Sequence, residues 1–275
     1  MDEPQTFTMN PPQLLVSIRD ASEVAPAIVG GCDIIDIKDP ARGSLGRADA
    51  LVWSSIADEM LRLRSHLPCS VALGEPVEEI PSADSAPLPY DWDFAKLGIA
   101  GLGTMADWPR RLADSRKQWE RRLPATDRWI LVVYADWQLA DSPSLTALHE
   151  QLPEILATAD WDGVLIDTFT KNGRTLLDFV DASQLHALGD LVRRSNKLWC
   201  VAGSLRADAL ADVIQSQPDV VGIRTAGCRD ECRDQPIDDD AVRRFRDALY
   251  AAHGMTQIST KAQKEKAMRS ADSRR

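Results

Sequence analysis

The chain has 275 residues and a mass of 30.4 kDa, enough for one large domain with a core of its own. It is 44% hydrophobic and 27% charged, too apolar for a disordered chain, and no stretch offers the roughly 18 uninterrupted apolar residues of a membrane span. A net charge of −10 and a pI near 4.9 argue against nucleic acid as a partner, because phosphate contacts dominate such binding.

The first residues lack both a basic and an apolar leader segment, so a soluble, cytoplasmic protein is expected. Residues 1–12 are predicted to be a disordered extension and 255–275 a basic, disordered tail; residues 13–254 form the domain. The cysteines (Cys32, Cys69, Cys200, Cys228 and Cys232) are odd in number, and three of them lie in or beside apolar runs. Reduced core thiols are expected rather than a disulfide framework. The four histidines are scattered without metal-ligand spacing, and neither a metal nor a cofactor is called for.

In chain order, an apolar run at 14–18 is followed by a helical pattern at 21–30, with Asp20 or Ser22 as its start. The second run, 33–38, precedes a helix at 48–66, and the third spans 69–73. The stretch 74–93 is rich in proline and acids, so the helix expected there is short, displaced or lost. A fourth run, 94–100, leads to a helix at 107–123 starting at Asp107. A fifth, 129–135, leads to one at 144–159 starting at Ser142-Pro143. Runs at 163–168, 198–203 and 220–224 alternate with helices at 175–195, 207–217 and 238–252. The runs are too short for buried helices and carry Val and Ile, as buried parallel strands do. Eight strands alternating with helices predict an α/β fold, a single (β/α)8 TIM barrel. The competing open sheet lacks its G-x-G-x-x-G fingerprint after the first strand.

Charged residues inside such strands carry the functional signal. A side-chain period of two puts Asp36 and Lys38 on one face of the second run and Ile35 and Ile37 on the other. The isoleucines belong under the helices, so Asp36 and Lys38 point into the barrel, as does Lys96 in the fourth run. The sixth run ends at Asp167, with Lys171 just beyond. These groups are expected to meet at the carboxyl ends of the strands, where barrels carry their active sites. A lysine that loses hydration beside a second cation sheds its proton and attacks a carbonyl. Small residues after the last two strands, Gly203, Ser204 and Ala226, with Arg224, predict a phosphate site. Asp136, after the fifth run, can reach the mouth as a supporting group.

The strings GGCDIIDIKDPARGSLG (30–46), IDTFTKNGRTLLDF (166–179), VAGSL (201–205) and VGIRTAGC (221–228) resemble the (5-formylfuran-3-yl)methyl phosphate synthase family, over roughly residues 13–250. The resemblance implies a lyase of C1 metabolism that condenses two molecules of glyceraldehyde 3-phosphate in the biosynthesis of methanofuran-type cofactors. It implies Lys38 as the Schiff-base residue, Lys96 as the proton acceptor, Asp167 and Lys171 as further site groups, and a homo-oligomer. Asp39 and Thr225 stand where the family pattern has Asn and Gly. Two alternatives accompany this reading: another phosphosugar barrel enzyme, such as a class I aldolase or an epimerase, and a catalytically silent barrel serving as a partner protein.

Overall fold

The computed structural model of the protein describes residues 10–80, 92–123, 126–158 and 160–272. Of the extensions expected at 1–12 and 255–275, residues 1–9 and 273–275 lie outside them, as does most of the proline-rich stretch. Eight parallel strands hydrogen-bond in sequence order into a closed barrel. They are β1 (Gln13–Ile18), β2 (Ile34–Ile37), β3 (Cys69–Ala72), β4 (Phe94–Leu97), β5 (Arg128–Tyr134), β6 (Gly163–Asp167), β7 (Leu198–Val201) and β8 (Val220–Ile223). Between and after them run α1 (Val24–Gly30), α2 (Ala50–Arg62), α3 (Trp108–Glu120), α4 (Leu145–Thr158), α5 (Ala182–Arg194), α6 (Leu210–Gln215) and α7 (Asp239–Asp272). Among the described residues no helix joins β3 to β4, and none is long and apolar enough to cross a membrane.

Period-two alternation sorts the strand residues as the apolar pattern requires. Ile35 and Ile37 are fully buried under the helices, while Ile34 and Asp36 turn inward together with Leu15, Ser17, Phe94, Lys96, Leu165 and Asp167. Four aspartates pin the opposite end. Asp33, Asp93, Asp162 and Asp219 directly precede β2, β4, β6 and β8. Each accepts a hydrogen bond from the backbone N–H at or near the start of the preceding strand, on Leu14, Cys69, Trp129 and Trp199, at 2.7–2.8 Å. The barrel is thus stitched in strand pairs at its amino-terminal rim, and satisfied amides there are worth roughly 1–2 kcal/mol each.

The helices show where sequence signals compete. Asp20 accepts from the Ser22 N–H and so opens the 3-10 turn before α1. Ser144 rather than Ser142 accepts the Ala147 N–H at the start of α4. Asp107 spends its carboxylate on Arg110 and Arg111 instead of on the backbone. Asp238 caps α7 through the Ala241 N–H. That helix, expected at 238–252, continues to Asp272, across residues expected to be disordered. Ala, Lys, Gln, Glu and Met dominate this stretch, and all are good helix formers. At the barrel's seam Gly30 lets α1 approach α7, since a Cβ there would lie 2.5 Å from the Val242 Cβ. Trp53, Trp119, Trp161 and Trp199 are fully buried, in keeping with a packing role.

Candidate active site

At the carboxyl end of the strands a chamber of about 50 Å³ is lined by Asp36, Lys38, Lys96, Asp167, Lys171, Gly203, Ser204 and Arg224, among others. Every catalytic residue expected from the sequence therefore faces one space. Lys38 is only 6% exposed and Lys96 only 3%.

Register explains the grouping. Ser17, Asp36 and Ser70 lie level across β1, β2 and β3, and the Ser17 hydroxyl donates to Asp36 Oδ2 at 2.8 Å. Lys96 Nζ lies 2.5 Å from Asp36 Oδ1, an ion pair without good hydrogen-bond alignment. Burial alone would raise the Asp36 carboxyl, but Lys96 and Lys38 outweigh it and hold it below the usual carboxylate range. On the far side, the Lys171 amine donates to Asp167 Oδ1 at 2.7 Å and to the Thr168 carbonyl at 2.6 Å. Burial pushes the Asp167 carboxyl up as well, yet Lys171 and Lys38 bring it down to about 2.

Lys38 differs from its neighbours. Its amine enters none of the ion pairs among the described residues. Burial, the largest influence, lowers it from 10.5 to about 7; Asp167 and Asp36 oppose the change, while Lys96 and Arg233 add to it. Loss of hydration therefore dominates over the pressure of a fellow cation, and a substantial fraction of the amine is neutral near pH 7.

The phosphate expectation is redistributed. Gly203 (φ +112°) and Ser204 (φ +51°) form a left-handed turn at the chamber wall. Ser204 does not cap the following helix; Arg206 occupies that position. Ala226 lines an adjoining outer cavity. Arg224 reaches the chamber, but its Nη1 donates to the Ser17 carbonyl (2.9 Å) and to Glu23 (2.8 Å), and its Nη2 donates to Glu23 as well (3.2 Å). Glu23 is 1% exposed and also accepts the Arg19 N–H. Arg224 thus latches β8 to the turn after β1 through both terminal nitrogens, while its Nε is buried without a hydrogen-bond partner. Asp39 caps the turn after β2 through the Ala41 N–H and pairs with Arg42.

Several groups were not singled out in the sequence. Ser44 donates to Asp167 Oδ2 (3.0 Å) and the Thr168 carbonyl (2.9 Å), tying the loop after β2 to β6. Asp136, weighed only as a supporting group, accepts the N–H groups of Phe169 and Thr170 (2.6 and 2.9 Å) and so fixes the segment that carries Lys171. Glu75 accepts from the Tyr134 hydroxyl and, at 2.7 Å, from the Ala100 N–H; burial pushes its carboxyl up to about 7. Arg233, from the loop beyond β8, reaches back into the chamber. Asp136 was signalled by its place at the end of the fifth run and Ser44 by its closeness to the lysine segment; nothing local pointed to Glu75 or Arg233.

Solved structures share this architecture. The 3-hexulose-6-phosphate synthase of Salmonella typhimurium superposes with a TM-score of 0.54 at 16% identity, over 88% of this chain and all of that one. A phosphoribosyl anthranilate isomerase from Thermococcus kodakaraensis gives 0.54 at 11% identity, over 88% of this chain and 98% of that one. The fold is that of a TIM-barrel protein, with buried lysines at the carboxyl ends of its strands.

Sequence relatives narrow this further. The family model described as 4-HFC-P synthase matches residues 14–246. A relative from Methylorubrum extorquens is 31% identical over 241 residues, 87% of this chain and 92% of its own length. The (5-formylfuran-3-yl)methyl phosphate synthase of Methanothermobacter thermautotrophicus is 29% identical over 245 residues, covering 86% and 98%. The chain belongs to the 4-HFC-P synthase family and is therefore a member of an enzyme family.

Proposed function

We propose that the protein condenses two molecules of glyceraldehyde 3-phosphate into 4-(hydroxymethyl)-2-furancarboxaldehyde phosphate, with release of one phosphate and two waters, as a Schiff-base lyase serving methanofuran-type cofactor biosynthesis. The observation that carries this reading is the buried Lys38 amine, unpaired and lowered to about 7, in one chamber with Asp36, Lys96 and Asp167. A neutral amine attacks the aldehyde carbon, and loss of water leaves an iminium. The Lys96 ammonium, held in place by Asp36, donates the proton that carries off the hydroxyl as water and, neutral in turn, takes one from the adjacent carbon that the iminium acidifies. The resulting enamine either expels phosphate or adds to the second aldehyde. Asp167, kept ionised by Lys171, stabilises the iminium as it forms. Gly203, Ser204 and Ala226 frame a phosphate with their backbone, while Arg224 acts indirectly, by fixing the rim through Glu23.

Incubation with glyceraldehyde 3-phosphate tests the reading. Phosphate release with a growing furan ultraviolet band is expected, and borohydride should trap an adduct on Lys38. An adduct without a furan would instead indicate an aldolase. Self-association is proposed on the resemblance alone, and sedimentation in solution tests it.

A further inference from the structure

Outside the chamber lies a cavity of about 340 Å³ that shares Lys171, Ser204, Thr225 and Arg233 with it and adds Arg206, Ala226 and Cys232. The chamber, at about 50 Å³, has room for a few water-sized groups. It admits the aldehyde end of a triose phosphate, and the phosphate end must lie farther out. The cations available there are not equivalent. Lys171 is committed to Asp167 and Thr168, and Arg224 to Glu23. Arg224 leaves only its inner Nε unpartnered, whereas Arg233 has a terminal nitrogen of its fork, Nη2, buried without a hydrogen-bond partner, a costly state for a guanidinium nitrogen.

The backbone holds Arg233 there at further cost. Asp230 (φ +55°) and Glu231 (φ +49°) are consecutive non-glycine residues in the left-handed region. Their loop is closed by an isolated antiparallel bridge between Cys228 and Ile237 and by the Arg229 N–H donating to the Pro236 carbonyl at 3.0 Å. A strained, tied loop that presents an unpaired donor on a side chain lining both cavities is built for an occupant that supplies the acceptor.

We propose that Arg233 anchors the substrate phosphate in the outer cavity while the aldehyde reaches Lys38. The planar guanidinium fork suits a phosphate monoester dianion bidentately, and Ser204, in its left-handed conformation, lines the same cavity. This assignment rests on the imine reading for its substrate, but the phosphate site itself does not require imine chemistry.

Cys232 offers a reporter, because it is exposed at the outer cavity while the other four cysteines are buried. Millimolar inorganic phosphate, without any aldehyde, should slow alkylation of Cys232 by iodoacetamide in the unmodified protein and leave the rate unchanged in Arg233→Gln. Steady-state assays should show KM for glyceraldehyde 3-phosphate raised at least tenfold in Arg233→Gln with kcat within about threefold. Arg233→Lys, which keeps the charge and loses the fork, should fall between. Phosphate protection of Cys232 that is equal in Arg233→Gln, or absent from the unmodified protein, overturns the anchor, as does an unchanged KM. Borohydride labelling of Lys38 at saturating substrate separates the two claims. Labelling with failed protection sinks the anchor alone, and protection with failed labelling sinks the imine reading alone.

Discussion

Burying an ammonium group sacrifices several kcal/mol of hydration, and Lys38 avoids that cost by losing its proton instead of acquiring a partner. The native state then binds fewer protons than the unfolded chain between about pH 7 and 10.5. Stability contributed through this group therefore rises with pH across that window, and the penalty is fully present below it. Lys38→Met should stabilise the fold by on the order of 4 kcal/mol at pH 6, with the gain vanishing as pH approaches 10.5. Urea denaturation at a series of pH values measures this. Equal stability of the two proteins at pH 6 would mean that the amine is hydrated in solution. The same variant should lack turnover, because a thioether cannot form an imine.

Elements meet at two buried polar joints. Glu23 joins the turn after β1 to Arg224 at the end of β8, and Glu23→Ala would leave a buried guanidinium uncompensated, at about 3–5 kcal/mol. Adding Arg224→Met should restore most of that loss, whereas simple additivity in chemical denaturation would show that the two side chains are not coupled. Glu75 ties the loop after β3 to the Ala100 amide and to Tyr134 of β5. Its carboxyl is raised to about 7, so the native state binds more protons than the unfolded chain between pH 4.5 and 7. Its contribution is complete below that window and is lost as pH climbs through 7. Glu75→Gln should flatten the fall in melting temperature between pH 5 and 7.5; a persistent fall would place its cause elsewhere.

These joints also mark where sequence reading ends. The strands were legible because both faces of a parallel barrel strand are buried and their apolar runs have sharp edges. Asp36, Lys38, Lys96 and Asp167 were legible because a charge in such a run has only the interior to face. Arg224 obeyed the same parity, yet its partner Glu23 lies 201 residues away, and nothing local distinguishes a latched arginine from a free one. Arg233 sits in a stretch, DECRDQPID, that reads as a solvated charged loop; only the closed chain folds it over the mouth. The helical course of α7 beyond 254 was hidden by composition, since the residues that keep a tail solvated also favour helix.

Taken whole, the molecule carries a net charge of −10 but gathers Lys38, Lys96, Lys171, Arg206, Arg224 and Arg233 around one opening. Fields from clustered charges in a low-dielectric cleft act locally and weaken with salt. The kcat/KM for glyceraldehyde 3-phosphate should accordingly fall as ionic strength rises from 10 to about 150 mM, and a flat profile would deny the opening a role in attracting the anion. Across the same molecule Glu75 and Lys38 titrate near one pH with opposite consequences, so stability should dip near pH 7 and recover toward alkaline pH.

The most direct measurement is the pH profile of borohydride reduction in the presence of glyceraldehyde 3-phosphate, with the modified residue identified by mass spectrometry. The account predicts a single adduct on Lys38 whose yield rises with a midpoint near pH 7. An adduct on another lysine, or a midpoint near that of an ordinary lysine at about 10.4, would contradict it.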